Sequence, residues 1–494
     1  MNEFRNRGPS LSNLLAGVAV GVYLLVIAGA TAAIADAAAA CGTWPLCGGQ
    51  SFTDPAVAIA LGHRAMAVVV GVVLLGATVI AWLRRASTKV LAALAVATVL
   101  YPLQIAVGAL VAIQGAPPTV AGFHLGIGVI IFVGIALALA WELEAETARK
   151  EDPLSEPVVE LWSGESTSES KTTDRAASDT RTDTFDSSPG AVDSSSTAAN
   201  ATPPTSGFGE TVRAYVQLTK PRLMWLLCLV ALAAMALAAG PSLSASTVAY
   251  TLVGGVLAIG ASGTFNHVFE RKVDRRMART ADRPVATDQV GVRNAVLFGI
   301  FLSSVSIASF LQVNALAAGL GLTAIIFYSV VYTLVLKPNT VQNTVLGGFA
   351  GSLPALIGWA AVTGQIGVPA LVLAGVIFLW TPAHFYNLAM VYREDYARGG
   401  FPMLPVVYGP AVARKHVLLY LAGTLVASAA LAAVSTIGAL YATTVVLLGA
   451  GFLWAVVRLH HERTSTAAMR AFHASNVFLG GVLVVIILDA VLIA

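Results

Sequence analysis

The chain has 494 residues, of which 57% are hydrophobic and only 11% charged, with a mean hydropathy of +0.78 and a net charge of +3. Soluble domains carry roughly 25% charged residues, so the composition rules out a soluble enzyme and points to an all-α protein that crosses the membrane many times. The basic residues sit in short loops, which argues against a nucleic-acid-binding face, and three cysteines are too few for a disulfide scaffold.

Runs of about 20 apolar residues mark the membrane spans. Four are expected near 12–36, 57–83, 88–113 and 120–141. The first has no obvious processing site and reads as a retained span. Nine more are expected near 222–239, 244–264, 292–312, 314–336, 343–363, 369–391, 414–435, 437–458 and 472–493. Between the groups, Glu146–Glu210 is rich in Ser, Thr, Asp and Glu and nearly free of large apolar residues, so it cannot bury a core and reads as a disordered linker. The predicted organisation is therefore a four-helix membrane unit over 1–145, an acidic linker over 146–210 and a nine-helix unit over 211–494.

Lys and Arg alternate from loop to loop. Arg5 and Arg7 precede the first span, Arg84, Arg85 and Lys89 follow the second, and Arg149 and Lys150 follow the fourth. The pattern resumes with Lys220 and Arg222, the loop from Arg271 to Arg293, Lys337, Arg393 and Arg398, and Arg458 to Arg470, while the alternate loops carry no basic residue. The positive-inside rule then places the N-terminus and these basic loops in the cytoplasm of a multi-pass plasma-membrane protein, and the C-terminus outside.

Two histidines lie inside the first unit, His63 about six residues into its span and His124 about four into its own, both counted from the outer side. At 1.5 Å per residue they sit at similar depth. Two neutral imidazoles facing across a bundle could ligate a haem iron from both sides, and Arg64 could pair with a propionate or merely snorkel outward. Cys41 and Cys47 fall in the first external loop, where a pair can oxidise to a disulfide. Cys228, inside a helix, reads as an apolar filler.

The nine-helix unit carries the chemistry. In NHVFERKVDRRMARTADRP, from Asn266 to Pro284, the residues Asn266, Glu270 and Asp274 recur every four positions, giving one polar stripe on a helix. An amide and two carboxylates can hold Mg2+, and neighbouring cations can hold phosphate. A second cluster follows in Thr381–Pro405: His384 and Asn387 lie one turn apart inside the apolar run, a costly place for polar groups, and Arg393, Glu394, Asp395 and Arg398 emerge on the same side. Glu394 and Asp395 are the candidate second half of the metal and diphosphate clamp. Lys220, Arg222, Arg275, Arg279, Lys337, Asn343, Arg393 and Arg398 are candidates for holding the diphosphate and its organic partner. Tyr328, Tyr332, Trp380 and Phe385 lie in the apolar runs, where each reads as ordinary helix packing or as the wall of an apolar cavity.

These residues carry a resemblance. NHVFERKVD resembles the first acidic motif of the UbiA-type membrane prenyltransferases, and QLTKPR, ARTADRPV, LKPNTVQN, GSLPALIGWAA and YREDYARGGFPMLPV narrow it to the haem O synthase branch over about 211–494. The resemblance implies a ring of nine transmembrane helices, Mg2+ held by Asn266, Glu270, Asp274, Glu394 and Asp395, and transfer of a farnesyl group from farnesyl diphosphate to protohaem IX. GTWPLCGG, GHR and FHLGIGV, over about 1–145, are similar to the N-terminal half of the haem A synthases, which implies haem b bound between His63 and His124. That family usually has an acidic residue one turn before the first His, where this chain has Ala60, and two such halves where this chain has one. A homo-oligomer or a haem A synthase partner could supply the second half. Rival readings are prenyl transfer to a quinone or lipid precursor, a non-catalytic haem-binding protein, and a transporter.

Overall fold

The computed structural model describes residues 10–34, 41, 43–48, 53–114, 117–147, 154 and 207–493. Among them there is no strand, and thirteen helices are long and apolar enough to cross a membrane. The first unit comprises α1 (Leu11–Ile34), α2 (Pro55–Leu83), α3 (Thr88–Gln114) and α4 (Pro118–Thr147). A short amphipathic helix, α5 (Phe208–Leu218), precedes the second unit. The spans there are α6 (Pro221–Ala239), α7 (Ala245–Phe269), α9 (Val292–Leu311), α10 (Ala315–Ile326, continued by a π-helical stretch Phe327–Leu336), α12 (Asn343–Thr363), α13 (Val368–Val391), α16 (Gly409–Val434), α17 (Ala439–Glu462) and α18 (Ser465–Leu488). Single turns α8 (Arg271–Asp274), α11 (Lys337–Asn339), α14 (Arg393–Arg398) and α15 (Leu404–Val407) lie in the connecting loops.

The helix ends follow from local chemistry. Asp54 caps α2 through the Ala56 amide at 2.9 Å with Pro55 in the first turn, Asn314 caps α10 through the Ala317 amide, and Thr464 caps α18. Gly364 closes α12 at a positive φ of 70°. Two helices begin well before their predicted spans, α16 at Gly409 and α18 at Ser465, because the turns ahead of the apolar runs, Gly409–Ala413 and Ser465–Ala471, are helical as well, the latter carrying Arg470. The acidic linker expectation falls almost wholly outside the described residues; its edges are the last turn of α4 and the first of α5.

The nine spans of the second unit form a closed ring in which each packs on the next: α6, α7, α9, α10, α12, α13, α16, α17, α18 and back to α6. Small residues let backbones meet: a Cβ on Gly358 of α12 would lie 2.2 Å from the Ala231 carbonyl oxygen of α6. The four-helix unit docks on the outside of this ring, α1 and α4 lying on α16 and α17. The Tyr23 hydroxyl donates to the Leu425 carbonyl at 2.9 Å. At one end Lys415 meets Glu144 at 2.8 Å and the Ser12 hydroxyl donates to Glu146. One continuous apolar core runs through both units.

Candidate functional site

The polar residues of the ring gather at one end, where α7, the π-helical stretch and α13 finish. The helix carrying Asn266 does not run on to Asp274 as the four-residue spacing suggests. It ends at Phe269, Glu270 adopts φ −89° and ψ 3°, and α8 restarts at Arg271. The stripe survives this break because the Glu270 amide still donates to the Asn266 carbonyl at 2.9 Å and the Asp274 amide to the Glu270 carbonyl at 2.8 Å. All three side chains are buried.

Three cations meet the two carboxylates. Lys337 binds Glu270 at 2.5 Å, and Arg283 grips both oxygens of Asp274 at 2.8 and 2.9 Å while lying 3.9 Å from Glu270. Lys220 donates to the Asn266 amide oxygen, whose nitrogen donates in turn to the Thr333 hydroxyl at 3.3 Å. Thr333 sits in the π-helical stretch, its own hydroxyl donating to the Tyr328 carbonyl five residues back. Such π-helical insertions recur at functional sites. Lys220, at the α5–α6 joint, has a left-handed backbone, φ 54° and ψ 56°. Burial, together with Arg283 and Lys337 nearby, lowers its ammonium to about 7. Burial alone would raise the Glu270 carboxyl, but Lys337, Lys220 and Arg283 outweigh it and hold the group below its ordinary value. Arg283 and Lys337 balance the two carboxylates and Lys220, lowered to about 7, adds a partial positive charge that an incoming anion would raise to a full one, the electrostatic setting for an anion.

The second acidic cluster takes a different position from the one the sequence suggests. Asp395 accepts from the Ala278 amide at 3.1 Å and the Arg279 amide at 3.2 Å, and pairs with Arg398. These donors hold its carboxyl below the usual range despite burial, which raises it. Asp395 thus pins the loop that carries Arg279 and Arg283 and does not face Glu270 or Asp274. Glu394 is exposed. Among the described residues no three His, Cys, Asp or Glu side chains converge as a ready-made metal cage.

The remaining candidates divide. Arg279 stacks over Tyr392 and Tyr396, 4.8 and 5.4 Å from their centroids, at the edge of the pocket. Arg275 faces away, bound to the Ala286 carbonyl and to Asp288 at 2.7 Å, with Arg271 on the same carboxylate. Arg222 and Arg398 are exposed, and Arg393 donates to the Leu154 carbonyl. Asn343 supports Lys337, its amide donating to the Lys337 carbonyl at 3.4 Å. Asn387 is fully buried with its amide donating to the Ala383 carbonyl and its oxygen without a partner among the described residues. His384 lies flat between Trp380 and Phe472, centroids 4.3 and 4.2 Å away, and its Nδ1 meets the Ser475 hydroxyl at 2.6 Å. Of the aromatics, Tyr328 lies 5.8 Å from Lys220 and packs on Tyr332, while Phe401 lies 4.3 Å from Lys337. Arg283 is the functional residue that the sequence reading missed. Its neighbour Pro284 was the available signal, since proline fixes the loop just after it.

In the four-helix unit Cys41 and Cys47 form a disulfide. Arg64 donates to the Thr43, Pro45 and Cys41 carbonyls and ties down the disulfide loop. His124 lies within electrostatic reach of His63 and 3.4 Å from the Gln104 amide. The Nδ1 atoms of both rings are buried and have no partner among the described residues.

Comparison with known proteins supplies the chemical context. The model of the UbiA prenyltransferase family matches residues 227–480. A protein named Protoheme IX farnesyltransferase from Haloarcula marismortui is 54% identical over 487 residues, 97% of this chain and 98% of that protein. A Protoheme IX farnesyltransferase 1 from Saccharopolyspora erythraea is 46% identical over 281 residues, 56% of this chain and 89% of that protein. A solved UbiA homolog from Archaeoglobus fulgidus, bound to GPP and Mg2+, is 19% identical with a TM-score of 0.45 and covers 55% of this chain and 99% of its own.

Proposed function

The chain belongs to the UbiA prenyltransferase family, and we infer that it transfers the farnesyl group of farnesyl diphosphate to a vinyl group of protohaem IX, making haem O. The observation that carries this reading is the pocket in which Lys220 meets the buried Asn266 amide while Arg283 and Lys337 pair with buried Asp274 and Glu270. Two carboxylates and the Asn266 amide are too few for a closed metal cage. They suit Mg2+, which usually keeps one or two protein carboxylates and takes its other ligands from substrate phosphates and water. Bound there with the diphosphate, Mg2+ would supply further positive charge against the leaving group.

The chain's own groups would do the rest. Lys220, Lys337 and Arg283 exchange their carboxylate and amide partners for diphosphate oxygens, and Arg279 closes from the rim. The allylic carbon–oxygen bond breaks, its electron pair leaving with the diphosphate that these cations stabilise. The vinyl group's π electrons form the new carbon–carbon bond to the farnesyl carbon. Water adds to the resulting cation and loses a proton, completing a hydroxyethylfarnesyl substituent. Tyr328, Tyr332 and Phe401 line the approach and keep bulk water from the cation. Asp395, by binding the Ala278 and Arg279 amides, holds the cation-bearing loop in place, and exposed Glu394 is the acid of that cluster free to meet a metal.

For the four-helix unit we propose a bound haem b held between His63 and His124, supported by two neighbouring imidazoles that each keep a buried nitrogen without a partner. This unit then resembles half of a haem A synthase. From the positive-inside rule we infer that the diphosphate pocket opens on the cytoplasmic side of the plasma membrane.

Haem extracted from a haem O-deficient host tests the central reading. The full chain should yield haem O by mass, and Asp274→Ala should abolish it. Recovery of protohaem alone from membrane-inserted protein would refute the transfer. Haem A in a host lacking its own haem A synthase would extend the chemistry to the four-helix unit. A reduced-minus-oxidised spectrum of two axial histidines, lost in His63→Ala and in His124→Ala, tests the haem b site separately.

A further inference from the structure

Helix α5 presents three distinct faces. At about 100° per residue, Phe208, Val212 and Val216 share one face, Arg213, Gln217 and Glu210 the next, and Ala214, Leu218 and Tyr215 the third. The third face is sealed, packing on Val285, Val290, Ala295 and Phe298. The polar face is exposed. The first face is exposed too, although wholly apolar: Phe208 is 88% accessible, Val212 45% and Val216 50%.

Two further observations say what covers that face. Only Thr219 and Lys220 separate α5 from the membrane-spanning α6, so the helix sits at the level where the chain enters the bilayer. In the first turns of α6, Leu223 and Trp225 are exposed and Arg222 lies beside them. An exposed Trp with a flanking Arg marks the headgroup boundary. The apolar row of α5 is therefore continuous with the lipid-facing surface of α6. A helix with apolar, water-facing and protein-facing sides at this depth is built to lie in the interface plane.

We propose that α5 is a membrane-surface anchor: the Phe208–Val212–Val216 row seats in the glycerolipid headgroup boundary on the side of the diphosphate pocket, and this seat holds Lys220 in the pocket. The mechanical link is short. A Cβ on Gly263 would lie 2.8 Å from the Leu218 carbonyl and 3.4 Å from the Lys220 side chain, so the end of α5, Lys220 and the helix bearing Asn266 form one packed joint one turn before the acidic stripe. A donor with a diphosphate head and a farnesyl tail would meet its first cation at the bilayer surface.

Spin labels test the seating without assuming any chemistry. In the full chain carrying Cys228→Ala, reconstituted in vesicles of phosphatidylcholine and phosphatidylglycerol, labels are placed through Val212→Cys, Val216→Cys, Arg213→Cys and Gln217→Cys. Labels at 212 and 216 should collide more with oxygen than with a water-soluble nickel chelate, and those at 213 and 217 the reverse. Equal chelate access at all four, or shielding of 212 and 216 from both reagents as against a second protein surface, would overturn the anchor. The link to Lys220 rests on the farnesyl-transfer reading and is measured apart. Val212→Asp with Val216→Asp should raise KM for farnesyl diphosphate several-fold while leaving that for protohaem unchanged, with Val212→Ser and Val216→Ser as the milder pair should the first not insert. An unchanged KM in inserted protein would sever α5 from the site.

Discussion

Arg283 and Arg275 sit eight positions apart in one loop, yet they do different work. Arg283 spans both oxygens of buried Asp274, whereas Arg275 is spent on Asp288 and the Ala286 carbonyl outside the pocket. Removing one preorganised charge from a site of this kind costs on the order of 10²–10³ in rate. Arg283→Ala should therefore lower kcat/KM for farnesyl diphosphate by about 10²-fold or more, and Arg283→Lys should recover part of it, since a single terminal nitrogen, Nη1, makes both contacts to Asp274 and an ammonium is likewise a point charge. Arg275→Ala should leave steady-state kinetics close to the parent chain. Equal losses in the two variants would mean that the loop rearranges on binding. The acidic stripe was legible from its spacing because period four needs only a helix. Which arginine faces it was not, since the choice is made by the turns between Met277 and Val290, where Thr280 binds the Asp274 carbonyl and Asp288 takes a left-handed backbone. No periodicity records those turns.

Among the elements, the spans were read from hydropathy with little loss because each must satisfy its backbone within itself in lipid. Two features escaped. Helix α5 is too short for a span window, and its apolar positions split between a protein face and an exposed face, so no helix signal shows in the sequence and the predicted boundary between linker and nine-helix unit, at 210/211, falls inside it. The break at Glu270 is invisible in a four-residue spacing that both sides of the break preserve. Close packing was visible only as small residues. Gly358 is such a case: a methyl there would meet the Ala231 carbonyl at 2.2 Å, so α6 and α12 must separate. Overpacking of this kind costs about 1–3 kcal/mol. Gly358→Ala should thus lower the thermal midpoint in detergent, whereas Gly375→Ala on α13, where nothing lies within 4 Å, should raise it slightly through helix propensity. A similar fall in both would point to glycine flexibility and not to the α6–α12 contact.

The two units share one apolar core, yet their joint is of a kind that lipid can partly replace. Leu418, Leu421, Leu425 and Leu453 of the ring meet Ala19 and Phe132 of the four-helix unit. Lipid tails are as apolar as leucine, so separating the units forfeits packing and a few polar links and not the full hydrophobic term. Those links include the Tyr23 hydroxyl on the Leu425 carbonyl, the approach of His461 to Glu146 and the Lys415–Glu144 pair at the exposed end, the last worth about 0–1 kcal/mol. The acidic stripe and its three cations all belong to residues 220–337, within the ring. A chain beginning at Gly207 should accordingly insert and still convert protohaem to haem O, with a thermal midpoint lower by several degrees and without the spectrum of two axial histidines. Were the shortened chain inserted but inactive, the four-helix unit would have to contribute to transfer itself, through delivery of haem or through the seat of α16 and α17. Were it as stable as the parent, the shared core would be contiguous without being cooperative.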